Sequence, residues 1–324
     1  MSVIYINEQG GYLRKRGGCF VVTKKDETLF SVPEASVDEI VILGNVQIST
    51  QAMSELMANG VEVIFLSMNG KFKGILEPGY PKNVFMRISQ YNASIEENSS
   101  FNIALWIVRK KIESELDSLR KWRKNRWIES GKSVVNSLNS SLKDIDSKTN
   151  IQEIMGIEGI TAKLYFSLFM ELIPPPFQWN GRNRQPPQDP PNALLSLTYM
   201  MTLGEIISKC YIYSLDPYIG FLHQLDYSRP SFALDILELC RSTYCDHFVI
   251  SLLQKEVFDF NDFYFSEKEG CRLKSEAFRE YLDQFHSLRI SARNRQPSLE
   301  TFISSIIEKI RNSFKTGILD ASPV

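Results

Sequence analysis

VEVIFL at residues 61–66 is a short β-branched run, whereas LWIVRKKIESELDSL at residues 105–119 repeats its apolar residues every three or four positions. The first pattern is typical of a strand and the second of an amphipathic helix. Runs of the first kind occupy the chain up to about residue 85, and the helical period holds after it. The sequence therefore predicts an α+β protein of two domains: a small β-rich domain at residues 1–82 and a larger all-α domain at residues 83–324.

The N-terminal domain contains three more runs of strand length, VIYI at residues 3–6, FVV at 20–22 and IVIL at 40–43, with glycine-containing turns between them. One helix fits between Ser49 and Asn59, because Ser49 or Thr50 can cap its first turn and Gly60 can end it. A small β unit exposes strand edges that can pair with another chain. We therefore expect a second copy of the protein to complete this domain.

The C-terminal domain is predicted to be helical in several further stretches. They lie near residues 151–172, 192–214, 232–255, 273–285 and 298–315. A proline-rich segment at residues 174–191 separates the first two, and its prolines exclude a helix there. This segment is therefore expected to be a loop.

Charge is distributed unevenly along the 324 residues, although the formal net charge is only −1. A hydrophobic fraction of 43% and a charged fraction of 23% are ordinary for a globular protein. Positive charge is concentrated at residues 109–126, with tryptophans interleaved, and in the acid-free loop at 181–185. Arginines in such a loop match phosphate geometry, whereas a solvated face also explains the helical run. A nucleic-acid partner would have to contact these local basic patches.

Targeting signals are not evident in the sequence. The N-terminus lacks a charged segment followed by a long apolar run, and no stretch approaches the roughly 20 apolar residues of a membrane span. The five cysteines lack metal-site spacing and are expected to be reduced core thiols. We expect a cytoplasmic protein without a membrane partner.

One of the three histidines, His223, lies in a polar setting that suggests chemistry. It follows a turn that begins at Asp216, and Ser231 is predicted to cap the next helix. Asp235 and Glu238 lie three positions apart on that helix and therefore share a face. Carboxylates on an apolar helix are costly to bury unless a cation or hydrogen-bond donors meet them. The alternatives are a metal site of mixed imidazole and carboxylate ligands, which suits Mg²⁺ or Mn²⁺, and a solvated acidic edge beside a buried histidine.

A further carboxylate, Glu158, lies between Gly156 and Gly159 in the sequence MGIEGI. Glycines let a backbone or a substrate approach closely. Glu158 is therefore a candidate ligand. The alternative is an acid in the first turn of a helix, where it would complement the helix dipole.

Taken together, these segments resemble the CRISPR-associated protein 1 family over nearly the whole chain. MGIEG at residues 155–159 is similar to the first metal-ligand motif of the family. DPYIGFLH at 216–223 and RPSFALDILE at 229–238 are similar to its histidine and acid motifs, and NGR at 180–182 with DPPNALLSL at 189–197 to its loop and following helix. EQGGYL at 8–13, VILGNVQIS at 41–49, GVEVIFLS at 60–67 and VRKKI at 108–112 resemble its β segments and the start of its helical domain.

The resemblance implies a metal-dependent DNA integrase and endonuclease of CRISPR spacer acquisition, a step of adaptive antiviral defence. It implies an N-terminal dimerisation domain and a C-terminal helical catalytic domain. The implied ligands of Mg²⁺ or Mn²⁺ are Glu158, His223 and Glu238, with Asp235 as a fourth catalytic residue. Whether Asp235 or Glu238 makes the direct bond stays open, and His223 could instead act as a general acid or base.

In the implied reaction, a 3′-hydroxyl of the incoming DNA attacks a phosphodiester in the repeat. The candidates for DNA contacts are Arg182, Arg184, Asn192, Arg229 and Arg241. The implied partners are double-stranded DNA with single-stranded 3′ ends, a second copy of the chain, and a small ferredoxin-fold protein, the second CRISPR adaptation protein. Two other functions stay open: a transposon-type integrase of the same superfamily and a DNA-binding scaffold without catalysis.

Overall fold

The computed structural model describes residues 2–77, 79, 83–123, 129–177, 179, 181–183, 186–292, 296–317 and 319. Residues 2–77 form eight strands and one α-helix. These are β1 Val3–Ile6, β2 Gly11–Arg16, β3 Cys19–Lys24, β4 Glu27–Pro33, β5 Glu39–Leu43, β6 Val46–Ile48, α1 Thr50–Ala58, β7 Glu62–Leu66 and β8 Phe72–Leu76. The predicted cap of α1 is confirmed, because the hydroxyl of Ser49 accepts the backbone N–H of Ala52 at 3.2 Å.

The strands form two four-stranded sheets, with the orders β1-β5-β7-β8 and β4-β3-β2-β6. In the first sheet β5 pairs parallel with β1 and β7, and β8 is antiparallel to β7. Alternate side chains of β5 point to opposite faces. Ile40 and Ile42 pack against the second sheet, whereas Val41 and Leu43 pack into the helical core. Because both faces are covered, β5 is a continuous apolar run.

Helices dominate the rest of the chain. They are α2 Val84–Ile95, α3 Glu97–Arg123, α4 Glu129–Asp144, α5 Ile151–Glu171, α6 Pro190–Ile212, α7 Ser231–Cys240, α8 His247–Gln254, α9 Ser275–Ile290 and α10 Leu299–Thr316. A π-helical segment, Arg241–Asp246, joins α7 to α8 without a break. The predicted fold class is confirmed.

Three elements of the helical part were not indicated by the sequence pattern. They are α2, α4 and an antiparallel hairpin of β9 Phe263–Ser266 and β10 Gly270–Leu273. The proposed boundary at residues 82 and 83 falls next to positions outside the described residues, so it stays a prediction. No helix in the described part of the chain is long and apolar enough to span a membrane.

A buried ion-pair triad joins the first sheet to the helices. Arg289 of α9 is 1% exposed and donates to Glu39 of β5, with 2.8 Å between Nη1 and Oε1. Its Nε lies 2.9 Å from Oε2 of Glu205 on α6. Removing one partner of such a buried set would leave an uncompensated charge. The triad therefore fixes how the sheet is oriented against α6, the helix that also borders the candidate site.

Candidate metal centre

Three helices converge on one buried lysine. Lys111 of α3 is 4% exposed, and its Nζ lies 2.7 Å from Oε2 of Glu238 on α7. The same ammonium donates to Glu158 on α5. The side chain of Glu158 is 26% exposed, so the cluster is open to solvent on that side. The structure thus brings two of the three predicted ligands to one cation.

Glu238 contacts a second cation as well. Its Oε1 lies 2.6 Å from Nη1 of Arg241, one turn further along the same run. Burial raises the pKa of Glu238, but Arg241 and Lys111 outweigh it and, with His223, lower the pKa to about 2. Glu238 is therefore an ionised, buried carboxylate at neutral pH. Its two cations meet the expectation that a carboxylate on this apolar helix needs a cation or hydrogen-bond donors.

Asp235 has a different set of partners. It is fully buried and accepts the backbone N–H groups of Phe221, Leu222 and His223 at 2.7, 3.1 and 2.9 Å. Its Oδ1 also lies 2.7 Å from Nδ1 of His223. These bonds saturate the carboxylate and leave Nε2 as the remaining nitrogen of His223. The geometry therefore favours Glu238 over Asp235 as the direct ligand and gives Asp235 the role of orienting the imidazole.

The loop that leads to this histidine is held by two residues to which the sequence analysis assigned no role at the site. Gln90 of α2 is fully buried and donates to the carbonyls of Asp216 and Ile219 at 2.9 and 3.1 Å. It also accepts the N–H of Asp216 at 2.8 Å. A Cβ on Gly220 would lie 2.7 Å from the backbone of Ser231, so only glycine lets the loop pack on α7. The sequence signal that could have identified Gln90 is its position between Met86 and Ala93 on the buried face of α2, which is otherwise apolar.

The start of α7 corrects one expectation. Ser231 does not cap the helix; it is the first helical residue, and Pro230 precedes it without a side-chain cap. The hydroxyl of Ser231 donates to the carbonyl of Gln224 at 2.9 Å. Ser231 thus ties the loop between His223 and α7 to the helix, and this loop carries the half-buried Arg229.

Glu158 also differs from its alternative interpretation. Because α5 begins at Ile151, Glu158 lies about two turns inside the helix, so the first-turn interpretation is wrong. Gly156 and Gly159 are exposed, and a Cβ at either position would meet nothing within 4 Å. The surface beside Glu158 is therefore bare, and a substrate can approach it.

Two more buried acids lie around the cluster. Burial raises the pKa of Glu115, one turn after Lys111, to about 8. Burial also raises the pKa of Asp246, at the end of the π-helical segment, to about 6, although Tyr199 and Tyr165 donate to it. Glu115 is therefore mostly protonated at neutral pH and adds little negative charge to the cluster. Irregular π-helical turns of this kind often occur at functional sites.

The predicted ligands are not yet arranged as a cage. Among the described residues, no three His, Cys, Asp or Glu side chains are grouped closely enough to hold a metal ion. The donor chemistry nevertheless fits Mg²⁺ or Mn²⁺, since the predicted set supplies two carboxylates and an imidazole nitrogen of a ring that Asp235 orients. The ammonium of Lys111 takes the position of a cation between Glu158 and Glu238.

The residues expected to contact DNA have different environments. Arg182 donates to Oδ1 of Asn192 at 2.8 Å, and its guanidinium lies 5.4 Å from the ring centroid of Tyr199. The guanidinium of Arg241 lies 5.0 Å from the same centroid. Asn192 is fully buried, and its amide donates to the carbonyl of Gly181 at 2.9 Å. Asn192 therefore holds the proline-rich loop, which the geometry favours over the expected DNA contact.

Arg184, another predicted DNA contact, lies outside the described residues. Beside Arg241 a cavity of about 520 Å³ opens between the β7–β8 turn, α6, α7 and the β9–β10 hairpin. Its cationic lining residues are Lys71, Arg182, Arg241 and Arg272, and its aromatic ones are Tyr199, Tyr264 and Phe278. No aspartate or glutamate is among its described lining residues. The cavity is thus suited to an anion with a flat apolar part.

The chain belongs to the Cas1 family, since the family model described as CRISPR associated protein Cas1 matches residues 4–287. A relative named CRISPR-associated endonuclease Cas1 3, from Thermus thermophilus, is 34% identical over 302 residues. That alignment covers 92% of this chain and 88% of the relative. The resemblance read from the sequence motifs is therefore confirmed.

Two solved structures share the fold. A Cas1 protein from Thermotoga maritima has a TM-score of 0.83 at 21% identity, covering 99% of this chain and all of that one. A casposase bound to an integration product has a TM-score of 0.82 at 21% identity, covering 99% of this chain and 92% of the casposase. At these identities the likeness concerns the architecture: a β-rich N-terminal part followed by helices.

Proposed function

We propose that this chain is a metal-dependent DNA integrase and endonuclease of CRISPR spacer acquisition. The observation that carries the proposal is the convergence of Glu158 and Glu238 on one cation, beside an imidazole that Asp235 orients. Membership of the Cas1 family, whose relatives are named endonucleases, supports the nuclease. The casposase of similar fold, which is bound to an integration product, supports the integrase.

Glu158, Glu238 and Nε2 of His223 would hold Mg²⁺ or Mn²⁺, and Lys111 would move from between the carboxylates. When bound, the ion stabilises charge on the phosphoryl oxygens and lowers the pKa of the attacking hydroxyl. Asp235 keeps the proton of His223 on Nδ1, so Nε2 keeps its lone pair for ligation. Because Nδ1 is bound to Asp235 and Nε2 is available to a metal ion, this arrangement supports His223 as a ligand rather than as a general base.

The proposed reaction is a transesterification in DNA. The 3′-oxygen of the incoming strand forms a bond to a repeat phosphorus, and the bond from that phosphorus to the 3′-oxygen of the repeat strand breaks. The proton of the attacking hydroxyl is lost, and the leaving oxygen takes one up. With water as the nucleophile, the same site would act as a nuclease.

The cationic cavity beside Arg241 supports contacts to the DNA backbone. Arg241 both pairs with Glu238 and lines this cavity, so a strand bound there would lead to the carboxylates. Arg182 and Lys71 would add contacts to phosphates from the lining of this cavity. Arg229, half-buried in the loop after His223, is a further candidate for a phosphate contact. Binding through phosphates makes the affinity fall steeply with salt. Homodimerisation through the β-rich domain, and assembly with the ferredoxin-fold second adaptation protein, complete the proposal by family membership.

The test is strand transfer of a labelled duplex with single-stranded 3′ ends into repeat DNA, with Mn²⁺, Mg²⁺ or EDTA. We expect product with either metal and none in EDTA. Glu158→Gln, Glu238→Gln and His223→Ala should abolish it. Glu113→Gln is the matched control, because this glutamate lies on α3 but pairs outward with Lys110 at 2.9 Å. Equal product in EDTA would reject the metal mechanism, and full activity of the three variants would reject these residues as the catalytic site. DNA binding without product under any of the three conditions would favour the scaffold.

A transposon-type integrase is the second candidate, since a casposase has a closely similar fold. The two functions differ in the target DNA. A CRISPR integrase should prefer repeat DNA over an unrelated duplex of equal length and composition, whereas insertion into both at equal frequency would favour the transposon type.

A further inference from the structure

A second cavity, of about 320 Å³, lies between the end of α3, the start of α8 and α9. It shares no lining residue with the cavity beside Arg241. Its cationic lining residues are Lys121 and Lys255, and no aspartate or glutamate is among the described residues that line it. Its polar lining residues are Thr243, His247, Ser251, Gln284, Ser291 and Gln296. The proposed integrase chemistry uses none of these side chains.

His247 is one of the polar residues that line this cavity. Its Nδ1 lies 3.0 Å from the indole Nε1 of Trp122, and an indole N–H can only donate. Nδ1 must therefore be the acceptor, so the hydrogen of the neutral ring lies on Nε2. Burial, helped by Lys121, lowers the pKa of His247 to about 4, so the ring is neutral at physiological pH. The Trp122 hydrogen bond thus makes Nε2 a donor.

This donor lacks an acceptor within the described part of the chain. Nε2 of His247 is buried and has no hydrogen-bond partner there. Burying an N–H group without an acceptor is unfavourable, and native structures rarely leave one so. A small rotation of the ring would turn this N–H toward the cavity that His247 lines, where an oxygen from outside the chain would satisfy it. The two lysines at the same cavity indicate that this oxygen carries negative charge.

We propose that this cavity binds a phosphate group, with Nε2 of His247 donating to a phosphate oxygen and Lys121 and Lys255 balancing the charge. The apolar lining residues Phe248, Leu252 and Leu288 leave room for a sugar or base beside the phosphate. A volume of about 320 Å³ is at the lower end for a small-ligand site. The phosphate belongs either to a free nucleotide or to a DNA strand.

The site is separate from the candidate metal centre. Lys111 and Trp122 lie eleven residues apart on α3, which places them roughly 16 Å apart along the helix axis. A single phosphate cannot contact both. If the phosphate is part of DNA, the inference rests on the proposed function; if it is a free nucleotide, the site is independent of it.

The test observes Nε2 directly. The chain has only three histidines, so ¹⁵N-histidine labelling gives few ring signals, and His247→Gln assigns one of them. Inorganic phosphate, AMP and a short DNA duplex are titrated separately, all in EDTA, so that binding is read without strand transfer. We expect a saturable shift of the Nε2–H signal of His247. An unmoved signal with all three probes at millimolar concentration overturns the proposal.

Lysine variants provide the second readout, because these exposed positions can change without unfolding the chain. Lys121→Met with Lys255→Met should weaken AMP binding by at least about tenfold. Lys25→Met with Lys268→Met is the control of equal charge change at exposed sites elsewhere. Equal weakening in both pairs would mean unspecific charge attraction and would overturn the site.

The probes also separate the two sources of phosphate. If DNA reverses the shift that AMP causes in the His247 signal, the two compete for the cavity and the site is assigned to a DNA strand. A shift with AMP that DNA leaves unchanged assigns it to a free nucleotide. Strand transfer is measured in a separate reaction that contains Mn²⁺ or Mg²⁺. A chain that binds phosphate at His247 but forms no strand-transfer product would refute the proposed function and leave the phosphate site standing.

Discussion

Replacing Lys111 by methionine tests the candidate metal centre most directly. The change removes the ammonium that pairs with Glu158 and lies 2.7 Å from Glu238, while keeping a side chain of similar length. Removing one partner of a buried ion pair costs about 3–5 kcal/mol, because it leaves an uncompensated charge. Arg241 still pairs with Glu238, so we expect about 3 kcal/mol. For a chain of this size that lowers Tm in EDTA by about 4 °C.

Metal affinity should change in the opposite direction. In the unaltered chain a divalent ion must displace the ammonium of Lys111 from Glu158 and Glu238. In Lys111→Met this displacement is no longer needed, and the pair of Glu238 with Arg241 remains. The whole 3 kcal/mol would correspond to a factor of about 100 in Kd, which is an upper limit. Mn²⁺ should therefore bind more tightly to the variant, and saturating Mn²⁺ should restore most of its lost stability.

The assay combines thermal unfolding, with and without Mn²⁺, and calorimetric titration of Mn²⁺. Lys110→Met is the matched control, because Lys110 is the preceding residue of the same helix and its ammonium pairs with Glu113 at 2.9 Å. We expect the control to change neither Mn²⁺ affinity nor the Mn²⁺ response of Tm. A Lys111→Met protein that is as stable as the original in EDTA, or that binds Mn²⁺ no more tightly, would refute the reasoning.

Three further predictions concern single side chains around the site. Burial raises the pKa of Glu115 to about 8, so the native state holds a proton that the unfolded chain releases above pH 4.5. Stability from this group therefore falls as pH rises through that window, and Glu115→Gln should stabilise by roughly 2–4 kcal/mol at pH 8 and little at pH 5 in urea unfolding. An equal gain at both pH values would contradict this.

Asp235→Asn should lower Mn²⁺ affinity and strand transfer by about 10- to 100-fold, because Asp235 orients His223 from outside the ligand set. Unchanged Mn²⁺ binding would argue against that role. Lys71→Met should reduce the slope of log DNA affinity against log salt by about one, measured by fluorescence anisotropy, and an unchanged slope would place Lys71 away from the phosphates.

Local rules account for the parts of this fold that the sequence predicted. The strand runs, the helical period and the cap at Ser49 depend on neighbours only a few residues away, and all three are present in the structure. It was also predictable that Asp235 and Glu238 need hydrogen-bond donors or cations, because both lie on an apolar helix. Which donors and cations would contact the two carboxylates was not predictable.

Long-range packing decides the rest of the site. Lys111 lies 47 residues before Glu158 and looked like one more charge in a basic helical run. Gln90 bonds to the loop at Asp216, 126 residues later, and no local pattern specifies that contact. The π-helical segment after α7 is contacted by Ser118, whose hydroxyl donates to the carbonyl of Ser242 at 3.1 Å across the helix interface. Such pairings arise from how the helices pack together.

The choice between Asp235 and Glu238 as the metal ligand follows from this packing. The two acids lie one turn apart on one helix, and their own sequence positions make them equivalent. Asp235 has filled its lone pairs with three backbone amides and an imidazole, so ligation would have to break bonds that hold the His223 loop. The partners of Glu238 among the described residues are the side-chain cations of Lys111 and Arg241, so replacing Lys111 by a metal ion there breaks no backbone hydrogen bond of the His223 loop.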